Sequence, residues 1–156
     1  MGGSGWEYLT PYKGSVEASL TALHEEVFVQ ERLNEHYASL AKLWADEQFM
    51  GEVGTHTILD VYRVVESTET PDWRTGRDYN TLRPMAPERL VHHFGTETPT
   101  VGQYQAKMAE ANAALYAPQY EPTLLDEAEM RWTGRYVILC EDGVPIRLGV
   151  FGSSGD

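Results

Sequence analysis

The sequence holds a single cysteine, Cys140, no apolar run as long as a bilayer is thick, and only half as many basic as acidic side chains. Each shortage excludes something. One thiol cannot close an internal disulfide, and no Cys and His residues recur at the spacing of a structural zinc site, so the chain must rest on its apolar core and is expected in a reducing compartment. No stretch reaches the ~20 apolar residues of a membrane helix. The N-terminus lacks the basic-then-apolar layout of a secretory signal, which makes the cytoplasm the expected location. With 12 Lys and Arg against 24 Asp and Glu, the formal net charge is -12. Phosphate backbones and anionic lipid surfaces are gripped by Lys and Arg, so neither nucleic acid nor membrane is an expected partner. A cationic small molecule or a basic protein would be drawn in by the same field, although acidity also serves plain solubility. The glycine-rich dinucleotide loop, the phosphate loop and the Gly-x-Ser-x-Gly nucleophile elbow are all missing, and no cofactor is expected.

What is present fits one ordinary domain. The 156 residues are 42% hydrophobic and 23% charged, in the usual range for a globular chain. Residues 1–5 read as a flexible glycine-rich leader and 6–156 as a single α+β domain. Trp6 to Tyr12 has extended character, with Pro11 ending a short strand. Ser15 stands as an N-cap before Val16, Leu20, Leu23 and Val27, whose spacing predicts a helix from Val16 to Glu31. Tyr37, Leu40, Leu43 and Trp44 form a second apolar stripe, giving a helix that ends near Phe49 and Gly51. The β-branched density from Thr55 to Val65 predicts a strand, and the polar stretch from Glu66 to Pro84 predicts a long irregular loop. Pro87 and Gly95 bracket a short helix. Thr100 and Gln103 form a capping box ahead of a helix through Val101, Tyr104, Met108, Ala111 and Leu115. Asp126, Glu127 and Glu129 predict one helical turn.

Asp142-Gly143 between two apolar runs is a strong hairpin signal, because both turn residues tolerate positive φ. Its first arm, Tyr136 to Cys140, is continuously apolar and so expected to be covered on both faces, while Pro145 places the start of the second arm beside an unpaired position. Residues 151–156 read as a frayed end. The expected fold class is α+β: a small antiparallel or mixed sheet, made from the strand near 55–65 and the hairpin 135–151, packed against three to four helices.

The catalytic candidates are His56, Asp60 and His93. On a strand, His56 and Asp60 share a face about 13 Å apart along the chain. They would flank a ligand resting on Ile58, as a general base and a second acidic group. The alternative is a solvated Asp60 and a His56 that caps the Gly54-Thr55 turn. His92 and His93 sit about 100° apart on a helix, so one of them could join that pair. The ligand-binding candidates are Trp73, Arg74 and Arg77 in the long loop, together with Tyr62; with Arg83 and Tyr79 the loop holds the main basic and aromatic concentration in an acidic chain, suited to a lid or to pairing with nearby carboxylates. His56, Asp60 and a histidine of the 87–94 helix have acceptable metal-ligand chemistry, but nothing in their spacing demands a metal, and none is expected. His24 and His36 read as solvated, and Cys140 as buried and inert.

Gly54-Thr55-His56-Thr57-Ile58-Leu59-Asp60, Phe94-Gly95-Thr96 with Pro99-Thr100, and Trp132-Thr133-Gly134-Arg135-Tyr136-Val137 through Asp142-Gly143 to Gly152 and Gly155-Asp156 together resemble a loose set of small acidic uncharacterised proteins of actinomycete type. The likeness spans about two thirds of the chain. It implies a bacterial cytosolic protein and transfers no catalytic residue. Two functions compete on these grounds. One is a small-molecule-binding, tailoring or self-protection protein of bacterial specialised metabolism, with a His/Asp pocket under an Arg-bearing loop. The other is an acidic immunity or regulatory protein that binds a basic protein partner.

Overall fold

The Asp142-Gly143 turn takes φ values of 49° and 76°, the left-handed pair that a tight hairpin needs. It joins β4 (Thr133–Glu141) to β5 (Val144–Ser154). In this computed structural model, which describes residues 3–155, that hairpin is the centre of a mixed five-stranded sheet. β1 (Ser4–Pro11) lies antiparallel to β5 on one side. On the other, β3 (Thr81–Pro84) runs parallel to β4, and β2 (Arg63–Val64) parallel to β3, giving the order β1-β5-β4-β3-β2. Pro145 has no N–H to give, and the ladder skips there: the Cys140 N–H donates instead to the Pro99 carbonyl at 2.9 Å, and the register shifts between Leu139 and Cys140.

Helices cover both faces. α1 (Val16–Gln30) starts at Ser15, whose hydroxyl accepts from the Ala18 N–H at 3.1 Å. The second apolar stripe forms two short helices, α2 (Leu40–Trp44) and α3 (Glu47–Glu52), instead of one. The break falls at Asp46, whose carboxylate accepts from the Phe49 N–H and so starts a new helix. These helices pack with Trp6, Leu82, Leu148 and Val150 on one face of the sheet. On the other face, α4 (Pro87–Phe94) and α5 (Val101–Ala114) pack with Val137, Leu139 and Phe151. α5 carries the full Thr100/Gln103 capping box, and Gly95 closes α4 at φ 71°. Two covered faces explain the unbroken apolar run in β4. Trp6 lies flat against β4 and β5, where a Cβ on Gly134 or Gly152 would come within 2.6 Å of the indole; glycine is what lets the ring reach the backbone.

The α+β class and the mixed sheet stand as expected, but several local expectations do not. Only Arg63 and Val64 of the 55–65 stretch are strand; Ile58–Asp60 is a 3-10 turn. Ile58, Leu59 and Val61 are β-branched or branched because they are fully buried, not because they pair. The 66–84 loop ends in β3 and contains a 3-10 turn at Gly76–Asp78. Both chain ends are strand: Ser4 and Gly5, within the supposed leader, pair with Ser154 and Ser153 of the supposedly frayed tail. Met1, Gly2 and Asp156 lie outside the described residues.

His24 is not solvated. Its ring is buried, its Nε2 lies 2.9 Å from the Val61 carbonyl, and it meets the Trp44 indole edge-on at 5.3 Å. Burial lowers its pKa below the ordinary 6.5. The folded state therefore resists protonation that the unfolded chain accepts, and the stability His24 provides is present above pH 6.5 and lost as pH falls below it. Urea unfolding of the wild type and His24→Gln at pH 7.5 and 5.5 checks this. The wild type should lose the more stability on acidification, by up to ~1.4 kcal/mol per pH unit for one proton; equal losses would remove His24 as the cause.

Candidate functional site

Asp60 is fully buried. Its carboxylate accepts hydrogen bonds from the Thr55 N–H at 2.7 Å, the Thr55 hydroxyl at 2.9 Å, the His56 N–H at 2.8 Å and the Ser154 hydroxyl at 2.6 Å. His56 and Asp60 are thus brought together, where a strand would have held them apart. The reason is local: Gly54 and His56 both have positive φ, which curls residues 54–60 around the carboxylate. Ser154 in turn accepts from the Trp6 indole N–H at 3.3 Å, and His56 Nδ1 lies 3.1 Å from the Ser4 hydroxyl. Serine, histidine and aspartate meet here, but not in the order that activates a nucleophile. Ser154 is fully buried and donates directly to the carboxylate with no imidazole between, whereas nucleophilic catalysis needs the base on the hydroxyl. This cluster fastens the fold.

Around it, three residues with side chains adopt left-handed backbone: His56 at φ 58°, Asn80 at 60° and Trp132 at 62°. They are linked. Asn80 donates from its amide to the Asp60 carbonyl and from its N–H to the Trp132 carbonyl, both at 2.7 Å, and the Trp132 N–H reaches Ser153 O at 2.7 Å. Such conformations cost ~1–3 kcal/mol each and persist where the surroundings over-determine them. All lie at the end of the sheet where β1, β2, β3 and β4 begin and β5 finishes.

At this end a cleft of about 500 Å³ opens, lined by Trp73, Tyr79, Trp132, Met130, Glu129 and Arg131 among others. Trp132 is its link to the Asp60 cluster. A Cβ on Gly54 or Gly155 would come within 2.5 Å of the indole, so the ring is clamped between the loop that wraps Asp60 and the end of the chain. Trp73 is 71% exposed at the rim, and the Tyr79 hydroxyl donates to its carbonyl at 3.2 Å.

The other candidates are dispersed. His93 sits on α4, on the opposite face of the sheet from the Asp60 turn, and its Nε2 is 2.8 Å from Glu127 Oε1, which also binds Arg89 at 2.6 Å. Burial pushes the Glu127 carboxyl up, but Arg89 and His93 outweigh it and hold it below the ordinary range. His93 therefore does not join His56 and Asp60. Arg74 is turned onto Asp72 at 2.9 Å, and Arg77 lies 4.0 Å from Asp78; the hydrogen bond from Arg74 lowers the pKa of Asp72. Both arginines pair within their own loop and neither lines the cleft. Tyr62 packs on Trp44, with ring centres 5.6 Å apart. Of the expected ligand-binding set, Trp73 alone lines the cleft. Among the described residues, no three His, Cys, Asp or Glu side chains are grouped as metal ligands would be.

Sequence reasoning missed Ser154, Asn80, Trp132 and Arg135. Asn80 carried a readable signal, since asparagine tolerates positive φ and here precedes a strand. Arg135 and Arg83 are registered partners on β4 and β3 and are both buried. Arg135 donates to the carbonyls of Thr68, Glu69, Pro84 and Glu127, and Arg83 reaches Glu69 O and pairs with Asp78 at 3.0 Å. Together they hold the 66–80 loop against the sheet. Burial lowers the Arg135 pKa, and the neighbouring Arg83 adds to this.

Compared with known proteins, the chain matches no family model, no curated sequence and no solved structure.

Removing a partner from a buried carboxylate leaves charge unsatisfied, at about 1–3 kcal/mol. Ser154→Ala should destabilise by that amount in urea unfolding, and Asp60→Ala by more, since it strands four donors. A neutral Ser154→Ala would show that the tail does not depend on Asp60.

Proposed function

We propose that the protein binds a planar, positively charged small molecule in the cleft of Trp73, Tyr79 and Trp132, in keeping with a binding or self-protection role in bacterial specialised metabolism. The observation that carries this is the exposed Trp73 indole, held at the rim of a cleft that already contains two other aromatic rings. A cation over aromatic faces gains from the ring quadrupole, by ~0.5–2 kcal/mol depending on desolvation. Glu129 offers a carboxylate to the cation, and Arg131 a donor to a carbonyl or carboxylate on the same ligand. The net charge of -12 concentrates cations near the surface. The role is recognition: His56 and Asp60 are occupied in the fold, and His93 is on the other face.

Calorimetric titration with 1-methylquinolinium, and with 2-naphthalenesulfonate as an anion of similar shape, tests the reading. The cation should bind saturably and the anion should not. Trp73→Ala should weaken the cation at least tenfold, and Glu129→Gln several-fold. Equal binding of both probes, or indifference to Trp73→Ala, would overturn the proposal.

A second reading, an acidic factor for a basic protein partner, is favoured by uneven charge. Residues 16–53 hold eight carboxylates against Arg32 and Lys42, and all of the eight except Asp46 are exposed. Capture of a basic protein that is released by 0.5 M salt and lost when Glu25 and Glu26 are changed to Gln would favour it over the cleft.

A further inference from the structure

β1 is an edge strand, and its outer side is not covered. Tyr12 N donates to Ile146 O, which sets the antiparallel pattern: Thr10, Tyr8 and Trp6 exchange backbone bonds with β5, and Gly5, Glu7 and Leu9 turn their N–H and C=O groups outward. No backbone bond from another element of the described residues reaches them. The Glu7 and Leu9 side chains face the α5 side, because these residues are registered opposite Phe151 and Gly149. α5 covers β4 and β5 and touches β1 at one point, where the Asn112 amide donates to the Glu7 carboxylate at 3.3 Å. Between them runs a groove of about 330 Å³, lined by Glu7, Leu9, Tyr104, Gln105, Met108 and Asn112 among others.

Two observations make this groove more than an uncovered edge. Leu9 is a large apolar side chain left 39% exposed inside it. Tyr104, only 3% exposed, rests its ring on Gly149 and has one of two buried polar side-chain atoms among the described residues without a hydrogen-bond partner. Burial and the nearby Glu7 both raise its pKa, so the phenol keeps its proton and remains a donor in need of an acceptor. Its ring floors the groove beside Met108.

We infer that the β1–α5 groove receives an extended, basic-apolar segment of a partner protein, which adds antiparallel to β1 as a sixth strand. The outward groups of Glu7 and Leu9 supply main-chain bonds, Leu9 and Met108 a seat for an apolar side chain, and Glu7 the charge for a neighbouring Lys or Arg. No Lys or Arg lines the groove. A second copy of this chain is disfavoured by a net charge of -12 on each molecule. Pro11 ends the free edge and limits the added strand to about five residues.

The groove shares no lining residue with the aromatic cleft, so the two proposals succeed or fail separately. The probe is a capped hexapeptide of alternating lysine and valine, titrated into 15N-labelled protein. Controls are the same peptide with glutamate for lysine, and two versions N-methylated at alternate residues. Saturable shifts at Glu7, Leu9 and α5 are expected, with no binding of the glutamate peptide. One methylated version should bind at least tenfold more weakly, because one edge of the peptide pairs. Leu9→Pro removes an outward donor that β5 does not use, so the fold should persist, as its free spectrum checks, while affinity falls at least tenfold; Glu7→Lys should also weaken binding. No saturable binding, equal binding of both methylated peptides and the parent, or shifts confined to Trp73 and Trp132 would overturn the inference.

Discussion

A hydrogen bond between residues 94 positions apart, Ser154 to Asp60 at 2.6 Å, holds the end of the sheet together. A buried carboxylate is costly unless each lone pair is used, and Asp60 uses its own on two backbone N–H groups and two hydroxyls. The same contact joins the loop that precedes β2 to the last residues of β5, and through Trp6 to the first residues of β1. The left-handed turns at His56, Asn80 and Trp132 are kept in place by the bonds that radiate from it.

The cleft inherits its shape from that arrangement. Trp132 is fixed because glycine on both sides lets backbone meet the ring, and it serves as a rigid wall. The 66–80 loop supplies the opposite wall through Trp73 and Tyr79. Its position depends on two buried guanidinium groups from adjacent parallel strands that bind mostly carbonyls, a use of arginine suited to its several fixed donors. The proposed ligand cleft at one end of the sheet and the proposed strand-addition groove at its β1 edge are lined by different residues of one frame.

Much of the frame was legible from the chain. Ser15, the Thr100/Gln103 pair, Pro87 with Gly95, and Asp142-Gly143 act through bonds within four residues, so their meaning survives without tertiary context. The strand expected at 55–65 failed because β-branched residues report burial as readily as pairing; Ile58 and Val61 are buried in a turn. Thr81–Pro84 escaped notice because four residues carry no period, and parallel pairing with β4 made them a strand.

The candidate site divides in the same way. Sequence alone determined the acidity, the hairpin, the starts of α1, α4 and α5 and the basic and aromatic content of the long loop, since these follow from composition and near-neighbour bonding. Tertiary structure decided that His93 stands apart from His56 and Asp60, that Arg74 and Arg77 pair within their loop, that Ser154 fastens Asp60, and that Trp132 walls the cleft. Those outcomes rest on contacts between residues distant in the chain, where the energy of one pairing depends on every other being in place.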